Sequence, residues 1–342
     1  MAKLIESSGS FKIFKLIFIQ YRSRPADKGS LRAIGSPQIL DRDIIQDICF
    51  MVNKDPGRTE WFLFSLLALI WGSSFILMKE GMKSLTAVQV ASLRIVSAGF
   101  AFLPMAPKVF SSVSGRSLPL IILTGLLGTF FPAYLFCMAE TRLDSGLVGI
   151  LNVLTPLFTL LIGVTFFRQR IILLKWMGVI LGFVGVLLLF WTGNKKINLN
   201  SSGHAGFVIL ATLMYGVNVN LVSHYLRKYT ALQISTIALT ILLLPAFLIL
   251  ISTGYFSNMG NGSSWYLSTL ASIFLGFMGT AVATLLYYAL LKKAGGLFSS
   301  MVTYVIPFVA MFWGYLAGEE MGLKQLACFS VILAGVLLAQ RK

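Results

Sequence analysis

The chain has 342 residues, 57% of them hydrophobic and only 12% charged, and its mean hydropathy of +0.83 excludes a pair of ordinary soluble domains. A net charge of +16 does not point to nucleic acid, because the basic residues lie in the polar N-terminal tail and between apolar runs instead of in one cluster. Cys49, Cys137 and Cys328 have no spacing that makes a metal site or a disulfide framework, so neither a metal nor a cofactor is expected.

Residues 1–60 form a polar tail of mixed charge. Its one amphipathic stretch, 11–19, is interrupted by Lys12 and Lys15 and lacks a small-residue cleavage site, so it does not read as a signal peptide. A start misassigned upstream of Met51 is the favoured expectation, and a helix lying on the membrane surface is the alternative. Ten apolar stretches follow, at 61–79, 87–105, 118–138, 143–167, 173–191, 205–223, 233–252, 265–290, 295–317 and 324–339. Each approaches the ~20 residues that a lipid-spanning helix needs to satisfy its own backbone. The connections are short and hold no inserted domain.

These stretches fall into two blocks, 61–191 and 205–340, that repeat one another. Gly125-Leu-Leu-Gly-Thr129 recurs 151 residues later as Gly276-Phe-Met-Gly-Thr280, and the same offset carries Pro156 onto Pro307 and Gly163 onto Gly314. A block with an odd number of spans enters the membrane from the opposite side when it is repeated. The expected fold is therefore an all-α integral membrane protein of ten transmembrane helices, arranged as two inverted five-helix repeats. Lys108, Arg116, Arg168, Arg170, Lys175, Arg227, Lys228, Lys292, Lys293, Arg341 and Lys342 fall on one side of that topology and outweigh Lys79, Lys83, Arg142, Lys195, Lys196 and Lys324 on the other. Both termini are accordingly placed in the cytoplasm of a cell whose inner membrane holds the protein.

The run Trp71-Gly72-Ser73-Ser74-Phe75, Arg94 in the next span, and the repeated Pro156 and Pro307 followed by Gly163 and Gly314 resemble the EamA-like permeases, ten-helix members of the drug/metabolite transporter superfamily. The resemblance covers the chain from about Glu60 to Lys342. It implies a small-molecule permease with a central cavity between its halves, commonly an exporter of amino acids or related metabolites. One departure concerns the acidic residue often found where each half's fourth span ends: the second half has Glu319 and Glu320, whereas the first has Arg168 and Gln169.

Several residues are candidates for a substrate site. Asn152, Thr155 and Thr159 recur at i, i+3 and i+7, which gives one polar stripe on an apolar helix; the stripe faces a cavity or bonds a neighbouring helix. Pro156 frees the carbonyl four residues earlier, at Asn152, and the second half offers Thr303, Tyr304 and Pro307 at the equivalent turn. Aligning Gly72 with Gly216 sets Trp71 opposite Tyr215 and Ser74 opposite Asn218, an aromatic and a small polar group at one level on each helix. Tyr134 and the pair Tyr287 and Tyr288 are further candidates, although a buried phenol also satisfies itself on a neighbouring carbonyl. Arg94 lies well inside a span at a cost of about 2.5–3.5 kcal/mol, so either a substrate carboxylate or a structural partner must justify it.

No Asp or Glu occurs between Asp144 and Glu319, while Glu140 and Asp144 fall at helix ends. A mid-membrane carboxylate relay is not expected, and the sequence favours facilitated diffusion or exchange over proton coupling. The acidic gap argues against a membrane enzyme and against catalytic residues of any kind. An exporter of lipophilic cations and a non-transporting scaffold are the competing readings; the first calls for a buried carboxylate. Gly178 and Gly182 have the spacing of a close helix contact, within the bundle by default and in a homodimer as the alternative. The partners expected are thus a small-molecule substrate and the lipid bilayer, with no nucleic acid.

Overall fold

A computed structural model describes residues 56–143, 145–169, 171–192, 202–258, 262–316 and 323–340. The readings made of the N-terminal tail, of Asp144 and Arg170, and of Glu319 and Glu320 fall outside these residues. Every described element is helical. In chain order they are α1 (Arg58–Gly81), α2 (Ala87–Phe102), α3 (Ala106–Ser111), α4 (Leu118–Gly125), α5 (Phe131–Glu140), α6 (Ser145–Asn152), α7 (Leu154–Thr165), α8 (Leu173–Thr192), α9 (Ser202–Tyr225), α10 (Ala231–Ser252), α11 (Ser263–Gly276), α12 (Ala283–Ala294), α13 (Gly296–Ser300), α14 (Val302–Leu316) and α15 (Leu323–Gln340). Six helical runs are long and apolar enough to cross a membrane: Arg58–Gly81, Ala87–Ser111, Gly115–Glu140, Gly203–Tyr225, Ala231–Ser252 and Ser263–Ala294. Four shorter apolar helices accompany them, at Leu154–Thr165, Leu173–Gly185, Gly296–Val309 and Ser330–Ala339.

Local sequence explains where these helices start and break. Thr86 and Gln89 form a reciprocal capping box at the start of α2, and Thr230 and Gln233 form the same box at the start of α10. Pro156 cannot donate to the Asn152 carbonyl, and the chain breaks at Val153 between α6 and α7, where the sequence reads as one span. A second break, at Met301 between α13 and α14, interrupts the other stretch read as continuous. The repeated glycine motif adopts wide i→i+5 turns in both blocks, at Leu126–Phe130 between α4 and α5 and at Phe277–Val282 between α11 and α12. Such π turns insert an extra residue into a helix and loosen its backbone pairing.

Packing follows the repeat. The side chain of Gln89 donates to the Thr253 carbonyl beyond the end of α10, while that of Gln233 donates to Ser112 Oγ beyond α3. The beginning of α2 is thereby tied to the end of α10, and the beginning of α10 to the end of the run Ala87–Ser111, so the two runs are antiparallel. α8 and α15 are antiparallel too: Gly178 abuts Ala339, Gly182 abuts Gly335 and Gly185 abuts Ile332. The Gly178/Gly182 spacing is thus occupied inside the chain, because a Cβ at either position would enter the α15 backbone or the Tyr304 ring.

Between the halves, Gly72 of α1 fits against Val309 of α14, and Gly216 of α9 fits against Phe158 of α7. The 151-residue offset carries Phe158 onto Val309, so these contacts are equivalent. Ser74 of α1 likewise lies on Gly279, and Asn218 of α9 on Gly128. Each half's first helix is seated in the other half.

Candidate functional site

The two π turns, the breaks at Val153 and Met301, and the facing helices α1 and α9 meet around a cavity of about 90 Å³. Of the residues singled out from the sequence, Trp71, Ser74, Arg94, Asn152, Thr155, Tyr215, Asn218 and Tyr287 line it. Two do not. Tyr134 is hydrogen-bonded to Ser92 at 2.8 Å, and Tyr304 is fully buried with its hydroxyl donating to the Val179 carbonyl at 2.8 Å. Tyr304 fills the space left open by Gly182, which explains its inward placement. Tyr288, the neighbour of Tyr287, is in the wall as well.

The second π turn organises the charged side of the cavity. Trp71 Nε1 donates to the Gly279 carbonyl at 3.1 Å, and the indole packs 5.2 Å from the Tyr287 ring. Arg94 Nε donates to Thr280 Oγ1 at 2.6 Å, and its Nη2 lies 3.5 Å from the same Gly279 carbonyl. One carbonyl thus holds two helices, α1 and α2, and the guanidinium is fixed while still bordering the cavity. Its hydrogen-bond partners, a hydroxyl and a carbonyl, are neutral and do not offset its charge. The sequence marked Gly279 and Thr280 only as part of a repeat; their role in gripping Arg94 was missed, although the recurring glycine in an apolar span was the available signal.

The opposite wall is neutral. Thr155 Oγ1 donates to Asn152 Oδ1 at 3.2 Å, and Thr159 Oγ1 turns back to the Thr155 carbonyl at 2.8 Å, leaving Thr159 off the cavity. Asn152 therefore carries the polar stripe into the cavity at the carbonyl that Pro156 frees. Thr303, its counterpart in the second half, also lines the wall, four residues before Pro307. Asn218 is 3% exposed, and its Oδ1 is buried without a hydrogen-bond partner. Phe136 stacks on Tyr215 at 5.9 Å and closes the aromatic side. Met78 completes a sulfur contact to Arg94 Nη1 at 4.0 Å.

Glu140 departs from expectation. It is the last residue of α5, as the sequence implies, yet it is only 7% exposed, and neither carboxylate oxygen has a hydrogen-bond partner. Helix ends are usually wet; here Cys137, Ala139 and Leu143 join Met78, Leu85 and Val90 in one apolar cluster and seal this one.

Residues 59–191 and 204–340 each match the EamA-like transporter family. The chain is 25% identical over 287 residues to an uncharacterized transporter of Archaeoglobus fulgidus, covering 83% of this chain and 99% of that protein. It is 23% identical to a probable amino-acid metabolite efflux pump of Salmonella typhimurium, over 82% of this chain and 95% of that one. It is 26% identical to the uncharacterized inner membrane transporter YedA of Escherichia coli, over 81% and 88% of the two chains. One solved crystal structure shares the fold with a TM-score of 0.63 at 16% identity, covering 83% of this chain and 97% of its own. With both halves of its sequence matched and its helices suited to crossing lipid, the protein belongs to the EamA-like transporter family and is a multi-pass membrane transporter.

Proposed function

We infer that the protein is a permease with ten crossings in two inverted halves, moving amino acids or related metabolites by alternating access around the cavity between those halves. The antiparallel pairing of α2 with α10 and of α8 with α15 supports the inversion, since repeat-equivalent helices run in opposite directions. The shorter apolar helices supply the crossings beyond the six long ones, and the broken ones line the cavity, as discontinuous helices do in other inverted-repeat carriers.

The observation that carries the substrate class is one wall with a fixed, uncompensated Arg94 facing another with the partnerless Asn218 Oδ1 and the freed turn at Asn152. A cation donor and neutral carbonyl acceptors match the two ends of a zwitterion, the carboxylate at Arg94 and the ammonium at Asn218 and Asn152. Trp71, Tyr215 and Tyr287 between them suit an apolar side chain. The Salmonella relative's name, an amino-acid metabolite efflux pump, agrees with this reading. A lipophilic cation fits poorly, because among the described residues the cavity wall carries one cation and no carboxylate. We place the protein in the inner membrane with both termini in the cytoplasm, and read it as a carrier and not an enzyme.

The test is exchange in liposomes preloaded with a mixed amino-acid pool, using labelled phenylalanine, threonine and a lipophilic cation. Saturable phenylalanine exchange that falls with Asn152→Ala and Asn218→Ala is the expected result. Cation movement with no amino-acid exchange would overturn the assignment.

A further inference from the structure

Glu140 has no role in the cavity described above, and its surroundings make it unusual. Both its oxygens and the neighbouring Ser145 Oγ, at the start of α6, are buried without hydrogen-bond partners. An ionised carboxylate so placed is strongly disfavoured unless it is paired, whereas the neutral acid carries a donor of its own to offer. Among the described residues, the charges that bear on it are Lys79 from the last turn of α1 and Arg94 from α2. α9 presents to the same stretch of α5 the phenol Tyr215, and its own helix presents the thiol Cys137, whose Sγ touches Met78 Sδ at 3.7 Å. Met78 in turn touches Arg94, so the contacts Cys137–Met78–Arg94 link the last turn of α5, which Glu140 ends, to the cavity wall.

We propose that Glu140, with Ser145 beside it, is a proton-binding site whose occupancy sets how much of the Arg94 charge is available to an anionic group in the cavity. The proposal rests on the permease reading, in which Arg94 receives a substrate carboxylate. When Glu140 is ionised, its negative charge opposes that of Arg94 and weakens the hold on the substrate. When a proton from the solvent adds to a carboxylate oxygen, the carboxyl becomes neutral and Arg94 faces the cavity uncompensated. Proton and substrate therefore bind cooperatively, and by linkage each raises the affinity for the other. A carrier that moves them together couples its substrate to a pH gradient, in contrast to the gradient-free exchange that the sequence favoured.

Two measurements decide it. Infrared titration of the protein in lipid vesicles should reveal a protonated-carboxyl band that disappears on alkalinisation and is missing from Glu140→Gln, whose amide mimics the neutral acid in size. A wild type without such a band, or a band that Glu140→Gln leaves intact, would overturn the proton site. In proteoliposomes, labelled phenylalanine uptake should rise several-fold when the side of addition is made acid, and Glu140→Gln should lose that stimulation. Uptake that ignores the gradient in the wild type, or is driven by the reverse gradient, would overturn the linkage while leaving the permease reading standing. If no phenylalanine moves in either protein, the substrate assignment fails, and the infrared comparison still decides whether Glu140 binds a proton.

Discussion

The two π turns share a motif, a position in the repeat and a backbone form, yet they do different things. Leu126–Phe130 meets Asn218 and lies beside Ala238 and Leu242 of α10 through Gly125, all neutral. Phe277–Val282 meets Ser74, grips Arg94 through Thr280 and supports Trp71 through Gly279. The offset of 144 that carries Gly72 onto Gly216 carries Arg94 onto Ala238, so the same seat holds a cation in one half and a methyl group in the other. Duplication kept the architecture, and the charge that would bind a substrate is placed on one side alone. A carrier of polar-ended molecules gains a fixed substrate orientation from this difference.

The comparison can be broken first at the glycines that precede the turns. A Cβ at Gly276 would collide with the Arg94 carbonyl and Ser97 Oγ, whereas one at Gly125 meets the Ala238 methyl at 2.8 Å and the Leu242 side chain at 2.9 Å. Gly276→Ala should cost about 3 kcal/mol and Gly125→Ala about 1 kcal/mol, read as thermal stability in detergent. Equal losses would mean that the two turns are mechanically alike. Next comes the charge: Arg94→Met should reduce phenylalanine exchange by about tenfold to a hundredfold, the loss of charged hydrogen bonds worth about 1.5–3 kcal/mol. Thr280→Val, which releases Arg94 Nε, should reduce exchange by about threefold to tenfold, and its counterpart Thr129→Val by less. A larger effect at Thr129 would reverse the assignment of the charged side.

Where the halves are alike, paired variants should behave alike. Thr86→Ala and Thr230→Ala each remove half of a capping box and should each cost about 1 kcal/mol of stability. The smallest expected effect is at Tyr304, where Phe removes one bond to the Val179 carbonyl: about 0.6 kcal/mol of stability and little change in exchange rate. A strong transport defect in Tyr304→Phe would restore that residue to the cavity.

Much of this architecture is legible in the amino-acid order, and the reasons it becomes illegible are physical. The repeat, the apolar stretches and the proline that breaks the chain next to Asn152 are local properties, and most of the selected side chains meet at one cavity. Tyr134 and Tyr304 were not separable from Tyr215 and Tyr287, because in a membrane protein the lipid face and the packed face are equally apolar and the pattern does not say which way a phenol points. The π turns were hidden because nothing local marks them, and the glycines within them, Gly128 and Gly279, are pressed against Asn218 and Ser74 from distant segments. Glu140 escaped for the same reason: its place at a helix end is written in the sequence, and its burial is made by segments distant in the chain.

The seating of Gly72 on Val309 and of Gly216 on Phe158 has a consequence in time. During synthesis the first half enters the membrane before the helix that will cover Phe158 exists, and at about 5–20 residues per second the remainder of the chain takes on the order of ten seconds to follow. Within that interval the seat at Phe158 waits for Gly216, early in the second block, and Gly72 of the first helix waits longer, for Val309 near its end. Maturation of this carrier is therefore a late clasp between two incomplete pieces, and a ribosome that stalls in the middle of the message leaves behind a fragment that has nothing to close upon.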